Sequence, residues 1–185
     1  MRAYLQDVLS SYAGVFGETD AVRAFRLFIG TYDELTDRKK NLAGHITGSA
    51  LVWHEPSGTV LRVYHAKLKR WIFSAGGHVD PGEMPWQASV RELREEIGVS
   101  ASPCCDKDAP LPLILDAHPI PACTVKDEPA HWHYDMVYLY KVETKPSVVA
   151  DPREVFRYEW ARRDEVGLSN APVDLRVHMM KFQSR

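Results

Sequence analysis

Apolar positions along the chain change their spacing at about residue 44, and the change separates a helical region from an extended one. Over residues 3–35 the spacing is helical. Tyr4, Leu5, Val8, Leu9 and Tyr12 make one amphipathic stripe, Val22, Phe25, Leu27, Phe28 and Ile29 make a second apolar group, and residues 14–20 break the two helices. From Gly44 the pattern turns extended, with strands predicted over 45–54 and 59–68 around the turn Glu55-Pro56-Ser57-Gly58, and a short extended piece over 71–74. A helix follows over 85–97, then a loop over 103–112 rich in Pro, Asp and Ala. Further strands are predicted near 113–118, 132–142 and 156–160, a short helix opens at 163–166, and a final helix covers 173–182. Pro119, Pro121 and Pro129 mark a long connection whose length suits a loop bordering a site.

No segment repeats another. The order of elements predicts an α/β (α+β) fold in which a mixed sheet lies between helices. Residues 1–43 form a helical extension and 44–185 the main domain, in one compact unit overall. For the extension three uses suggest themselves: cover for the sheet, a homodimer contact, or a border of the substrate site. Packing on the sheet is the expectation.

The helix over 85–97 carries the densest chemistry. Asp80-Pro81-Gly82 is a turn signal, Pro85 suits the first helical turn, and Gly98 suits the position just past a helix end. Trp86, Val90, Leu93 and Ile97 fall on one stripe, predicted to face a sheet. Glu92, Glu95 and Glu96, at i, i+3 and i+4, share another face, beside which small Ala88 and Ser89 leave room for a ligand. Three carboxylates in the last turn repel one another and the helix dipole, at roughly 0.3–1 kcal/mol each in the usual surface case. An acidic run standing alone reads as a solvated face. A hard divalent cation would cancel the repulsion, and all-oxygen ligands favour Mg2+ or Mn2+ over Zn2+.

These residues do not stand alone. Gly77, Glu83, Arg91, Glu92, Leu93, Glu95, Glu96, Gly98 and Val99 fit the pattern G-x5-E-x7-R-E-U-x-E-E-x-G-U, where U is bulky and aliphatic. Chance would produce it on the order of once in 10^7 to 10^8 sequences of this length. The stretch is the Nudix box, and the chain resembles the Nudix hydrolases over roughly residues 44–170. The resemblance implies a metal-dependent pyrophosphohydrolase that cleaves the diphosphate linkage of a nucleoside diphosphate joined to a moiety X. It implies metal ligation by the carbonyl of Gly77 and by Glu92, Glu95 and Glu96, and a structural ion pair between Glu83 and Arg91. The general base is carried over as Glu92 or Glu95, with Glu128 and Asp135 as further candidates.

Two departures from the family pattern stand out, the first bearing on the loop and the second on substrate. Ala75 stands where many relatives have proline ahead of the two glycines, and Leu115 stands where ADP-ribose pyrophosphatases have a downstream proline. The added signatures of coenzyme A and NADH pyrophosphatases are missing as well. Alternatives therefore stay open: a sanitising hydrolase of oxidised or noncanonical nucleoside triphosphates that releases pyrophosphate, and a nucleotide sensor without turnover. An isopentenyl diphosphate isomerase ranks last, because no cysteine has a fitting context.

A second segment, Glu128 to Tyr140, reads EPAHWHYDMVYLY. In a strand, His131, His133, Asp135, Val137 and Leu139 face one way and Trp132, Tyr134, Met136, Tyr138 and Tyr140 the other. A similar H-x-H-x-D segment occurs in a bacterial-type Nudix subgroup with poorly defined substrates. Glu128, His131, His133 and Asp135 are thus candidates to line the active site, and Trp132 and Tyr134 to stack on a base, with burial as the plain alternative.

Composition narrows the partners. The chain has 185 residues, 45% of them apolar, which suffices for a core without disulfides. A formal net charge of −2 leaves no electrostatic footprint for long nucleic acid, so a small nucleotide is the expected substrate. No run approaches the roughly 18 apolar residues of a membrane span and no secretory signal is evident, which makes the cytoplasm the expected location. Cys104, Cys105 and Cys123 are odd in number and lack C-x-x-C spacing. A zinc site from Cys104, Cys105, His131 and His133 would need a loop pairing that nothing in the sequence specifies.

Overall fold

The computed structural model describes residues 1–73, 75–104, 110–124 and 127–162. Two helices open the chain, α1 (Arg2–Phe16) and α2 (Asp20–Thr31). Strands β1 (Gly44–His54), β2 (Thr59–His65), β3 (Arg70–Ile72) and β4 (Ala75–His78) follow, then helix α3 (Pro85–Ile97) and strands β5 (Ile114–Ile120), β6 (His131–Val142) and β7 (Val155–Arg162). Among the described residues these strands form one mixed sheet in the order β3-β2-β1-β6-β5, with β4 added on β1 and β7 on β2. The β1–β6 pair is parallel and the others antiparallel. The short helix expected from residue 163 and the final helix over 173–182 lie outside the described residues.

Strand β1 is the axis of the molecule. Its sequence GHITGSALVWH is small or apolar almost throughout and buried up to Trp53, as a central strand with a parallel neighbour requires. Helix α3 lies directly on it at Gly48, where an added Cβ would sit 2.0 Å from the carbonyl oxygen of Pro85. Gly48 therefore sets the distance between helix and sheet. Pro85 opens α3, and Gly98 closes it in the left-handed conformation at φ 68°. The buried face of α3 is Ala88, Ser89, Leu93, Glu96 and Ile97, whereas Trp86 and Val90 are only partly buried. The helix is thus rotated from the stripe expected of it. Ala88 and Ser89 serve packing rather than ligand access, since Ser89 Oγ lies 2.7 Å from the Tyr140 hydroxyl.

Helices α1 and α2 pack on the same side of the sheet as α3. Phe28 stacks on Tyr134 at 4.0 Å between ring centroids, Phe25 meets the same ring edge-on, and Tyr4 interacts with Tyr138. Tyr134, Tyr138 and Tyr140 share one face of β6. Leu5, Val8, Leu9, Tyr12, Val22, Phe25, Phe28 and Ile29 join the strands in one core. The break between the helices is shorter than expected, covering only Gly17 to Thr19, and Gly14 stays helical. Thr19 caps α2 by accepting from the Val22 N–H at 3.2 Å. Leu27, counted with the apolar group from sequence, is 73% exposed because it falls on the outer side of α2.

Three strand expectations need correction. Strand β2 ends at His65, where the chain turns toward Lys69, whose φ is 50°. Strand β5 runs on through Pro119 to Ile120, because it is an edge strand and proline's missing N–H costs no ladder bond on the open side. Strand β4 gave no sequence signal, since Ala-Gly-Gly-His lacks alternation and is extended through its pairing with β1.

Candidate active site

The Nudix-box residues converge where β4, the loop after it and α3 meet. Gly77 lies against Glu92, so closely that a Cβ on the glycine would fall 2.3 Å from Glu92 Oε1. Any other residue there would displace the carboxylate. Arg91 is the hub of the loop. Its Nη2 donates to Glu83 Oε2 at 3.1 Å and to the His78 carbonyl at 2.8 Å, and its Nε donates to Glu83 Oε1 at 3.2 Å. The third nitrogen, Nη1, reaches Glu92 Oε1 at 2.8 Å and Glu95 Oε2 at 3.3 Å. The Glu83–Arg91 pair is bidentate and fastens the loop after β4 onto the middle of α3. Glu83 also accepts from the Asp80 N–H at 3.0 Å, closing the turn.

The three glutamates sit at different depths. Glu95 is exposed, Glu92 is partly buried, and Glu96 is 8% exposed. Burial pushes the Glu96 carboxyl up to about 8, and the charges of Glu92 and Glu154 add to it, while the Gly76 N–H and Lys67 act the other way. Glu92 is raised by burial too, despite Arg91 beside it. One guanidinium therefore donates to three carboxylates, those of Glu83, Glu92 and Glu95, while the deeper Glu96 has the charge of Lys67 to offset it. Clustered carboxylate oxygens of this kind fit a hard divalent cation, which would displace the proton that burial favours on Glu96.

Glu154 was not legible as a site residue. It follows a long loop after β6, and it reaches the box because Val149 N–H donates to the Ile97 carbonyl at 2.9 Å and Asp151 N–H to that of Glu96 at 2.8 Å. Those bonds satisfy the open end of α3. Gly98 permits the approach, since a Cβ there would meet Val149 at 2.9 Å. Glu154 pairs with Lys67, which also bears on Glu96.

The H-x-H-x-D segment lies on the other face of the sheet. In register, Thr47 opposes Asp135 and His78, and Gly48 opposes Met136 and Gly77, so Asp135, Thr47 and His78 share the face turned away from α3. Asp135 is buried and accepts from Thr47 Oγ1 at 2.8 Å and Ser49 Oγ at 2.9 Å. These contacts make it a buried anchor between strands, separated from the box carboxylates by the sheet. His133 packs among the rings of His45, His78, His118 and His131. Burial holds His133 and His45 well below the usual imidazole range, and neighbouring imidazoles add to the effect. Glu128 pairs with Arg38 at 2.8 Å and, with His45 and His131, borders a pocket of about 340 Å3. Trp132 is 45% exposed, whereas Tyr134 is stacked under α2 and is not available to a base. The sulfur of Cys104 accepts from the Lys141 N–H at the far end of β6. Cys105 lies outside the described residues.

His78 links the two regions: its carbonyl is held by Arg91, and its ring lies 4.8 Å from that of His45. The family model of the NUDIX domain matches residues 45–181. The chain belongs to the Nudix family. It is a Nudix hydrolase, an enzyme that cleaves pyrophosphate bonds, of a family that acts on small nucleotide-like substrates. Solved Nudix structures share its fold. The MutT protein from Methanosarcina mazei Go1 superposes with a TM-score of 0.55 at 17% identity, over 77% of this chain and 95% of that one. The E. coli dihydroneopterin triphosphate pyrophosphohydrolase gives 0.52 at 13% identity, over 76% and 96%. A C. elegans Ap4A hydrolase gives 0.53 at 18% identity, over 75% and 95%. No curated protein matches the chain. Among the described residues no helix is long and apolar enough to cross a membrane.

Proposed function

We propose that the chain is a metal-dependent pyrophosphohydrolase that hydrolyses the diphosphate linkage of a nucleoside diphosphate joined to a moiety X. The observation that carries this reading is the stacking of Glu92 on Gly77 beside buried Glu96, with Arg91 and Glu83 bracing the loop. The Gly77 carbonyl and the carboxylates of Glu92, Glu95 and Glu96 would hold Mg2+ or Mn2+, in keeping with their hard oxygen donors. When bound, the cation neutralises charge on the diphosphate.

The remaining work falls to the chain's own side chains. Glu92 or Glu95 would take the proton from the attacking water, and Arg91 holds both through one nitrogen. Asp135 is withdrawn as a base because its carboxylate is committed to two hydroxyls on the opposite face. Glu128 keeps a role only at the pocket. Lys67 and Glu154 extend the site on the side of β2 and β7.

The test is product analysis with Mg2+ and with Mn2+ across nucleotide sugars, ADP-ribose, dinucleoside polyphosphates and nucleoside triphosphates. Two monophosphate products from a linked diphosphate support the proposal. Pyrophosphate released only from triphosphates identifies a sanitising hydrolase instead, and bound nucleotide without turnover identifies a sensor.

A further inference from the structure

His45, His131 and His133 place one ring nitrogen each within 4.8 Å of the others. The arrangement follows from the fold. Strands β1 and β6 are parallel with His45 in register with His133, and His131 lies two residues back on the same face. His45 is 1% exposed, and neither of its ring nitrogens has a hydrogen-bond partner. A buried polar group left so is costly, and an ion bound by one of these nitrogens would offset part of that cost.

The His131 ring is prepared for such an ion. His131 Nδ1 lies 2.8 Å from the Pro129 carbonyl oxygen, which can only accept, so Nδ1 carries the hydrogen and Nε2 presents its lone pair. A histidine ligand held through its far nitrogen by a backbone carbonyl is the usual outer-shell support of a metal site. The Nε2 atoms of His131 and His133 are 3.3 Å apart. Two nitrogens bound tetrahedrally to one zinc ion at about 2.05 Å would stand about 3.3 Å from each other.

We propose that these three histidines bind a divalent transition metal ion, Zn2+ foremost, at a site separate from the Nudix-box carboxylates. Ligand chemistry keeps the two apart, since imidazole suits zinc while carboxylate and carbonyl oxygens suit magnesium. Three neutral ligands leave the ion its full charge and an open fourth position. His45 and His131 both line the pocket that also carries Arg38 and Lys39, so the open position faces a cavity able to admit water or an anionic group of a ligand. These rings would hold the ion whichever nucleotide is cleaved.

The experiment is calorimetric titration of the metal-free full chain with Zn2+ in excess Mg2+, paired with the visible spectrum of the Co2+ form. The expected result is one Zn2+ per chain, bound more tightly than about 1 μM, and the intense bands of tetrahedral Co2+. His131→Ala, at a half-buried position near the strand end, and His133→Ala should each weaken binding by more than roughly 100-fold, beyond what an outer-shell partner contributes. Glu96→Gln should leave it unchanged. Circular dichroism of each variant separates loss of a ligand from loss of the fold. The proposal is overturned if folded protein takes up no stoichiometric Zn2+, in which case the His131–His133 contact is a hydrogen bond between rings. It is equally overturned if uptake survives His131→Ala and disappears in Glu96→Gln.

Discussion

Arg91 is the residue on which the geometry of the active-site loop turns. Its guanidinium serves Glu83, Glu92, Glu95 and the His78 carbonyl together, so Arg91→Ala leaves two partly buried carboxylates and a carbonyl without their donor. We expect a loss of about 2–3 kcal/mol by chemical denaturation, since unpaired buried acceptors cost about that much. Arg91→Lys should recover little of it, because a point ammonium cannot reproduce the fork. Glu96 gives a prediction in pH. Its carboxyl moves from 4.5 in the unfolded chain to about 8 in the metal-free fold, so the native state holds the extra proton between those values and stability falls as pH rises through that window. His45 and His133 act oppositely, since their depressed values cost stability as pH falls below about 6.5. Melting of chelator-treated protein from pH 5 to 8 should therefore show wild type losing ground against Glu96→Gln as pH rises. A difference that stays flat contradicts the assignment. The box residues were legible because motif and mechanism are contiguous in the chain. His45 and Glu154 were not, because the groups they meet lie 88 and 58 residues away, at His133 and Glu96.

Among the elements, the α3–β1 contact positions the carboxylates, and Gly48 controls it. Gly48→Ala would drive a methyl into the Pro85 carbonyl. We expect a loss of about 3 kcal/mol, the upper end for overpacking, together with lowered turnover because Glu92 and Glu96 move with the helix. Unchanged stability in a denaturant titration would contradict the packing described. Helix α3 could be bounded from sequence because Pro85 and Gly98 punctuate it. Its rotation could not, because Ala88 and Ser89 owe their burial to Gly48 and Tyr140 on other elements. Strand β4 was hidden for a similar reason: two glycines carry no pattern, and only β1 makes them a strand.

For the whole molecule, the two N-terminal helices are built into the core rather than appended to it. Phe25, Phe28 and Tyr4 pack on Tyr134 and Tyr138 of the central sheet. We propose that residues 1–43 and 44–185 fold as one unit, so removal of residues 1–40 should abolish the cooperative thermal transition and leave aggregating protein. A trimmed chain with an intact melt contradicts this. A homodimer through these helices would have to use their outer faces, where Leu27 is exposed, and light scattering of the whole chain decides that point. We propose that the clustered carboxylates carry the hydrolysis. The most direct test is the formation of the two monophosphate products from a nucleoside diphosphate-linked substrate by wild type and Glu96→Gln, each with Mg2+ and with chelator. Turnover that needs Mg2+ and falls by about 10^2–10^3-fold or more in the variant, the scale of losing one charge-stabilising group, is the predicted result. Equal turnover by both proteins, or turnover indifferent to the cation, would contradict the account.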